Sequence, residues 1–289
     1  MTIRRPAVAG SWYSGSTEGL RTEIEGCFLS KLGPGKLPKV NKKGPRKIVA
    51  LVSPHAGYMY SGPVAAHAYN ALASDGKPDV FIILGPNHTG LGSGVSIMVE
   101  GVWHTPFGKA QINGNLANKI HRSAKITAID ASAHAYEHSI ELQLPFLQFL
   151  YGSDFSFVPI CMMLQDLETS REVGQAIAES VAGENAVVIA SSDMTHGNIL
   201  PYLPQEEVQK RDQKALEAVQ KLDEVKLQDA VETYNVTMCG LGPVIAAITA
   251  AKTLRADKAS LICYKTTGDV TGDQYGVVGY ASVAITKKA

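Results

Sequence analysis

The hydrophobic residues of this chain follow two alternating patterns. Short, continuous apolar runs are typical of strands buried on both faces, whereas apolar residues at every third or fourth position are typical of amphipathic helices. The first complete unit has an apolar strand over 47–52, a helix over 63–72 and a second strand over 80–84. Because a strand, a helix and a strand in succession form a crossover connection, this order predicts parallel neighbouring strands.

The alternation continues to the end of the 289-residue chain. Further strands are predicted over 95–99, 124–129, 155–161, 186–190, 260–264 and 277–285. Further helices are predicted over 17–32, 115–121, 140–150, 167–181 and 244–254, with one long helix or two consecutive helices over 204–233. Pro145 should either kink its helix or mark the start of that helix. No long linker divides the chain, so we predict a single α/β domain over residues 1–289.

The composition excludes several classes of protein. Lysine plus arginine and aspartate plus glutamate both number 27, so no net basic charge favours nucleic-acid binding. The four cysteines form no C-x-x-C pair, which argues against a zinc ribbon, a thioredoxin-type motif or a disulfide framework. The N-terminus lacks a signal-peptide pattern, and the longest apolar stretch, 244–251, is far shorter than the roughly 20 residues that span a bilayer. We therefore predict a cytoplasmic protein that contacts neither nucleic acid nor membrane.

Four of the eight histidines lie near predicted element boundaries. His55, His88 and His196 each follow a strand-like run, and His138 precedes a predicted helix. In an open α/β sheet, ligands bind in the crevice beyond the carboxyl ends of the strands. Repeated imidazoles at that edge predict a metal site or a proton-transfer site. Each histidine taken alone is equally compatible with a structural role, hydrogen-bonded at a strand end or in the first turn of a helix.

Asp193 and Cys239 are two further residues whose positions suit this chemistry. Asp193 precedes His196 by three residues and is placed to bind a metal, to fix the tautomer of His196, or only to cap a turn. Cys239 precedes a glycine-rich turn into a helix, and the dipole of that helix favours the thiolate that a ligand or a nucleophile requires. The alternative for Cys239 is a buried, small hydrophobic side chain.

Several short motifs together resemble those of one known family, the Memo family. They occur in the family's order and extend over nearly the whole chain: Ala9-Gly10-Ser11-Trp12-Tyr13, Pro54-His55-Ala56-Gly57-Tyr58, Leu84-Gly85-Pro86-Asn87-His88, Glu137-His138-Ser139-Ile140-Glu141, Ser191-Ser192-Asp193 through His196, and Cys239-Gly240. The resemblance implies a fold like that of the class III extradiol dioxygenases. That fold has a central mixed, largely parallel sheet with helices on both faces and a site at one edge of the sheet.

The resemblance also implies a set of metal ligands. The dioxygenases bind Fe(II) through two histidines and a carboxylate, and they leave open positions for the substrate and O₂. By resemblance, His55 and His88 take the histidine roles, Cys239 replaces the carboxylate, and His196 is the acid–base residue. Asp193 and His138 are further candidates for a catalytic role. Because a thiolate is a softer ligand than a carboxylate, copper and zinc are alternatives to iron as the cofactor.

Three functions remain open on the sequence alone. The first is a non-heme iron-dependent oxidoreductase that acts on an unidentified small molecule. The second is a metallohydrolase with a metal-bound water as its nucleophile. The third is a non-catalytic adaptor that binds a metal or a peptide on the same fold. In microbes the family is associated with a radical-SAM protein, so the resemblance also implies a protein partner of that kind.

Overall fold

A mixed sheet of eleven strands runs through the structure, a computed structural model that describes residues 2–199 and 201–288. The strands are β1 (Ile3–Arg4), β2 (Ile48–Ser53), β3 (Val80–Pro86), β4 (Val95–Ile97), β5 (Val102–Thr105), β6 (Gly108–Ile112), β7 (Ala128–Ile129), β8 (Ser156–Met162), β9 (Ala186–Ser191), β10 (Ala256–Thr266) and β11 (Gly279–Lys287). Their order across the sheet is β1-β5-β6-β8-β3-β9-β2-β11-β10, with β4 beside β8 and β7 beside β4.

Helices cover both faces of this sheet. They are α1 (Thr17–Leu29), α2 (Tyr58–Asp75), α3 (Gly114–Ser123), α4 (Leu144–Tyr151), α5 (Leu167–Ser180), α6 (Gln205–Gln220), α7 (Glu224–Tyr234), α8 (Leu241–Thr253) and α9 (Thr267–Thr271), with short 3₁₀ turns at Ser132–His134 and Glu141–Gln143. Within the described ranges, no helix is long and apolar enough to cross a membrane. The arrangement is a single α/β domain, which confirms the predicted fold class.

The central strands are parallel and buried on both faces. Strands β8, β3, β9 and β2 pair in parallel, and β11 and β10 extend the sheet in antiparallel fashion beside β2. Along β3, Ile82 and Leu84 pack with α5 and α8 in one core cluster, whereas Phe81 and Ile83 pack with α1, α2 and α4 in the other. Successive side chains of a strand point to opposite faces, so a continuous apolar run is required where helices cover both faces.

Helix α2 begins at Tyr58 rather than at the predicted position 63, and Pro63 lies inside it. The turn before Pro63 is held by contacts outside the helix. The Tyr58 backbone N–H donates to the Trp12 carbonyl at 2.9 Å, and the buried Tyr58 hydroxyl donates to the Leu142 carbonyl at 2.7 Å. The prediction was wrong here because these tertiary contacts start the helix directly after the loop that carries His55.

Other boundaries also differ from the predictions. The hairpin of β5 and β6 was not predicted, because each strand is only four or five residues long and alternates weakly. The strand predicted over 124–129 is reduced to β7. Pro145 lies in the first turn of α4. Of the two predicted alternatives, a kink or a helix start, the second is therefore correct. The segment over 204–233 forms two helices, α6 and α7.

Candidate metal centre

The loops that follow β2, β3 and β9 meet at one edge of the sheet. Strand β9 pairs in parallel with β2 on one side and with β3 on the other, so the carboxyl ends of all three lie side by side. His55 lies beyond β2, His88 lies beyond β3, and Asp193 and His196 lie beyond β9. Cys239 reaches the same edge from the segment between α7 and α8. A long-range sheet topology thus gathers residues that are up to 184 positions apart.

His55, His88 and Cys239 form a compact group of donor atoms, called here the donor group. Their ligand atoms all lie within 4.8 Å of one another. Cys239 Sγ is 3.2 Å from His55 Nε2, and the two imidazole centroids are 5.2 Å apart. Gly240 permits this approach, because a Cβ at that position would lie 2.4 Å from the Ser191 carbonyl oxygen. The residues that the resemblance implies as ligands are therefore neighbours, and their binding of a metal stays a prediction.

Neutral hydrogen bonds fix the orientation of His55. Its Nδ1 lies 2.7 Å from Ser191 Oγ, which itself donates to the Ser139 carbonyl at 2.7 Å and accepts from Gln143 Nε2 at 2.9 Å. The hydroxyl has a single proton, and Ser139 receives it, so the proton between Ser191 and His55 belongs to Nδ1. The other ring nitrogen, Nε2, therefore carries the lone pair, and this lone pair is directed toward Cys239.

A carboxylate performs the corresponding task for His88. Glu137 Oε1 accepts a hydrogen bond from His88 Nδ1 at 2.9 Å, and Glu137 Oε2 accepts one from the His88 backbone N–H at 2.5 Å. Burial opposes the ionisation of Glu137, but its hydrogen bonds to His88 and its electrostatic interactions with His88 and His138 outweigh burial and lower the pKa of Glu137 to about 2. Glu137 is therefore an anion that keeps Nδ1 of His88 protonated and leaves Nε2 available as a donor.

Burial favours the neutral forms of three groups at this edge, the rings of His55 and His138 and the thiol of Cys239. It lowers the pKa of His55 well below its ordinary value, and the neighbouring His88 and His138 add to that effect. It also lowers the pKa of His138 to about 4. The same burial raises the pKa of the Cys239 thiol, and the Asp193 carboxyl adds to the rise. A metal bound here would have to displace the thiol proton, which couples metal affinity to pH.

His138 belongs to a second set of close ligand atoms. The ligand atoms of His88, Glu137 and His138 also lie within 4.8 Å of one another, and the His138 ring stacks on that of His88 at 4.5 Å. Glu137 already accepts four N–H groups, from the His88 ring and from the backbones of His88, His138 and Ser139. Binding a metal through Glu137 would compete with those bonds, so the donor group with Cys239 is the better metal site.

His196 is oriented by Thr237 rather than by Asp193. Its Nδ1 lies 3.0 Å from the Thr237 carbonyl oxygen, and its backbone N–H donates to Thr237 Oγ1 at 2.8 Å. A carbonyl only accepts, so the neutral ring is protonated on Nδ1 and carries its lone pair on Nε2. Asp193 instead accepts a hydrogen bond from the His55 backbone N–H at 2.8 Å, and burial raises its pKa. The catalytic roles of His138, Asp193 and His196 stay predictions.

A cavity of about 1010 Å³ opens beside these histidines. The rings of His55, His88, His138 and His196 line it together with Asp193. Segment 10–14 forms another part of its wall, and the Trp12 ring packs against His138 with centroids 4.3 Å apart. The volume suits a small molecule of the size that such sites usually bind.

A buried ion pair holds the N-terminal segment against this site. The Arg4 guanidinium contacts the Glu141 carboxylate, and it also donates to the carbonyls of His134 at 3.0 Å and Glu137 at 2.5 Å. Glu141 in turn accepts from the Tyr13 hydroxyl at 2.7 Å. Both charges of the pair are almost fully buried, so each depends on the other for compensation. The same pair connects the wall of the cavity to the segment that carries Glu137.

The fold and the site define a mixed α/β protein with a histidine and cysteine donor group at the carboxyl edge of its parallel strands. The chain belongs to the Memo family: the family model described as Memo-like protein matches residues 4–284. A MEMO1 family protein of Methanopyrus kandleri is 50% identical over 287 residues, covering 98% of this chain and 99% of that protein. A MEMO1 family protein of Methanothermobacter thermautotrophicus is 46% identical over 284 residues, covering 98% of this chain and all of that protein.

A solved structure shares the fold at low sequence identity. The crystal structure of an uncharacterized Escherichia coli K12 protein superposes with a TM-score of 0.58 and 14% identity, covering 83% of this chain and 100% of that one. At this identity the similarity extends to the fold and carries no information on the chemistry of the site.

Three residues at this edge had not been assigned a role from the sequence. Ser191 and Gln143 hold His55, and Tyr280 of β11 lines the cavity. Glu137 had been noted only as the neighbour of His138, whereas its carboxylate contacts His88. The motifs around Ser191 and Glu137 offered a signal for those two residues. No pattern in the sequence marks Tyr280, because it lies within an apolar strand.

Proposed function

We propose that this protein is a metal-dependent oxidoreductase in which His55, His88 and Cys239 bind Fe(II). The observation that carries the proposal is the donor group itself, with three ligand atoms within 4.8 Å of one another. In both histidines Nδ1 is engaged by an acceptor inside the protein, so both present Nε2 as the donor. This is the state in which metal-binding histidines are usually held.

The chemistry of the donors fits a transition metal. Two neutral imidazoles and one thiolate suit iron, copper and zinc, and they do not suit the hard cations Mg²⁺ and Ca²⁺. A bound ferrous ion would supply one-electron chemistry with O₂ and would polarise an oxygen of the substrate. Because only three protein donors converge, coordination positions would remain for a substrate.

The chain's own residues supply the remaining functions. His196 carries a lone pair on Nε2 and lines the cavity, so it is placed to take a proton from a bound hydroxyl and to return it later. The Trp12 ring packs on His138, and the His138 ring stacks on His88, so these two rings cover one face of His88. The Asp193 carboxylate holds the backbone of His55 and so keeps the loop after β2 in place.

Anaerobic Fe(II) titration tests the metal site. Wild type should bind about one equivalent, and His55→Ala, His88→Ala and Cys239→Ser should each lose tight binding. Cys263→Ser and His121→Ala are matched controls, because both residues lie outside the donor group, and both variants should bind iron as wild type does. Equal binding by all five variants and wild type would refute the proposed site.

Oxygen dependence distinguishes the reaction classes. An oxidoreductase should consume O₂ with a suitable phenolic substrate when loaded with iron, and His196→Gln should slow this by about 10²- to 10⁴-fold without loss of iron. Activity with zinc and without O₂ would instead support a metallohydrolase, for which the same donor set is suitable. Binding of a protein partner that survives His55→Ala, without any turnover, would support the adaptor.

A further inference from the structure

Among the described residues, Tyr280 differs from the other buried tyrosines in that its hydroxyl has no hydrogen-bond acceptor. It is 2% exposed and lines the cavity, yet among the described residues nothing accepts a hydrogen bond from its hydroxyl. The other buried tyrosines all donate to an acceptor within the chain: Tyr13 to Glu141, Tyr58 to Leu142, Tyr69 to Gln143 and Tyr151 to Gly76. Buried hydroxyl groups in folded proteins nearly always have a partner. The Tyr280 hydroxyl instead opens onto the cavity, where it is available to donate to a ligand.

Tyr280 is suited to act as a donor to that ligand. Burial, with further contributions from Asp193 and Tyr60, raises its pKa. The hydroxyl therefore stays protonated at any physiological pH and presents a proton to an acceptor oxygen. Strand β11 is antiparallel to β2 and so places Tyr280 on the same edge as the loop of His55. An oxygen that accepts from Tyr280 would therefore lie close to the donor group.

The charges around the cavity select against an anionic ligand. No lysine or arginine of the described chain lines it, whereas the carboxyl groups of Glu23 and Asp273 do. Glu23 is half-buried on α1, and its Oε2 accepts a hydrogen bond from the Ser14 backbone N–H at 2.7 Å. Among the described residues no basic side chain forms an ion pair with it, and burial raises its pKa. A positively charged group on the ligand would supply the missing compensation.

The remaining lining is aromatic and apolar. Trp12, Met59 and Tyr60 contribute faces on which a ring can pack, and Trp12 and Tyr60 can also hold a cation over a π face. Within the described part of the chain, a tyrosine hydroxyl without an acceptor, a carboxyl group without a basic partner and an aromatic wall thus line one cavity. These features describe a ligand with three matching parts.

We propose that the cavity binds an aromatic amine with a phenolic oxygen on its ring. This oxygen accepts a hydrogen bond from Tyr280, and the ammonium group of the ligand lies against Glu23. The ring packs among Trp12, Met59 and Tyr60. This proposal rests on the proposed function, because such a ligand would be the substrate of the metal site formed by the donor group. Binding of the ligand itself requires only the cavity. It can therefore be tested on metal-free protein.

Tyramine and 4-hydroxyphenylacetate are the matched probes, because both carry a phenol and they differ in the charge of the side arm. Calorimetric titration of the metal-free, folded protein should show tyramine binding clearly more tightly than 4-hydroxyphenylacetate. Tyr280→Phe should weaken tyramine binding about five- to tenfold, which is the value of one hydrogen bond. Glu23→Gln should weaken it by a similar factor and should not weaken binding of the carboxylate probe.

Two variants serve as controls. Tyr234→Phe removes a hydroxyl outside the cavity, and Glu25→Gln removes a charge two positions along the same helix, so neither should change the affinity. Equal or tighter binding of 4-hydroxyphenylacetate, no effect of Tyr280→Phe, or no binding of tyramine by folded protein would overturn the proposal. If the wild-type protein binds tyramine but does not bind iron, only the proposed metal function is refuted. Iron binding without tyramine binding would refute only this inference.

Discussion

The two histidines of the donor group are held by different chemistry. His55, which is 1% exposed, is oriented by the hydroxyl of Ser191 and, behind it, by the amide of Gln143 and the hydroxyl of Tyr69, all of them neutral groups. His88, whose side chain is 32% exposed, is oriented by the anionic carboxylate of Glu137. Both arrangements leave Nε2 as the donor. They therefore reach the same geometry by different electrostatic means.

The difference shows how a carboxylate can be used near a buried site. A neutral chain of hydrogen bonds orients His55 without adding charge to the core. Glu137 adds a negative charge, which makes the His88 ring a stronger donor, but a buried carboxylate is stable only when its oxygens are well hydrogen-bonded. Four N–H groups meet that condition, and Arg4 holds the Glu137 backbone. The carboxylate that orients the His88 ring is therefore anchored by Arg4 of the N-terminal segment, whereas the hydrogen bonds that orient the His55 ring come from Ser191 and, behind it, Gln143.

The largest effect on stability is expected at Arg4, which anchors the segment that carries Glu137, the partner of His88. Arg4→Met should lower the free energy of unfolding by about 3–5 kcal/mol, because it leaves the buried Glu141 carboxylate without its partner. Denaturant unfolding measures this change. Arg5→Met is the matched control, since Arg5 is exposed, and it should change stability by no more than about 0.5 kcal/mol. Equal stabilities of the two variants would show that the anchor is not needed.

Low pH should lower the stability of the fold through protonation of His134, whose carbonyl accepts a hydrogen bond from Arg4. Burial lowers the pKa of His134 to about 4, so the neutral ring stabilises the fold fully above the ordinary pKa of 6.5. That contribution, about 3 kcal/mol, is lost as the pH falls from 6.5 toward 4, because the unfolded chain binds the proton more readily. Unfolding titrations over this range should show His134→Leu losing less stability than wild type. A pH dependence identical to that of wild type would contradict the assignment.

The next largest effect is expected on metal affinity when the negative charge of Glu137, the partner of His88, is removed. Glu137→Gln should weaken Zn²⁺ or Fe(II) binding about 10- to 100-fold, since the ring loses the carboxylate that orients it and strengthens its donation. Competition with a chelator of known affinity measures the change, and circular dichroism checks that the fold is intact. An unchanged affinity in the folded variant would mean that the carboxylate does not tune His88.

The smallest effect is expected on the neutral side. Ser191→Ala should weaken metal binding by tenfold or less, because Gln143 still donates to the carbonyl of Pro54, next to His55, and the packed core still restrains the ring. The double variant with Glu137→Gln sharpens the comparison. If the two supports are independent, their effects on the binding free energy will add, and a large deviation from additivity would show that the shared Ser139 couples them.

The parallel core of the fold could be predicted from the sequence, because its signal is local. The apolar runs of β2, β3 and β9 and the helices between them are continuous stretches whose period is readable within a few residues. The hairpin of β5 and β6 and the early start of α2 could not be predicted. They depend on contacts between distant segments, such as the bond from Tyr58 to Trp12.

The same division applies to the site. The sequence alone determined which residue types stand at the ends of the strands, and the motif resemblance implied His55, His88 and Cys239 as ligands. Only the tertiary structure decided which partner orients each ring. Ser191 rather than a carboxylate holds His55, Thr237 rather than Asp193 holds His196, and Glu137 holds His88. The position of a residue along the chain shows that it follows a strand and so lies at the edge of the sheet. Its hydrogen-bond partner is set by the packing of side chains from different strands, and no local sequence pattern records that packing.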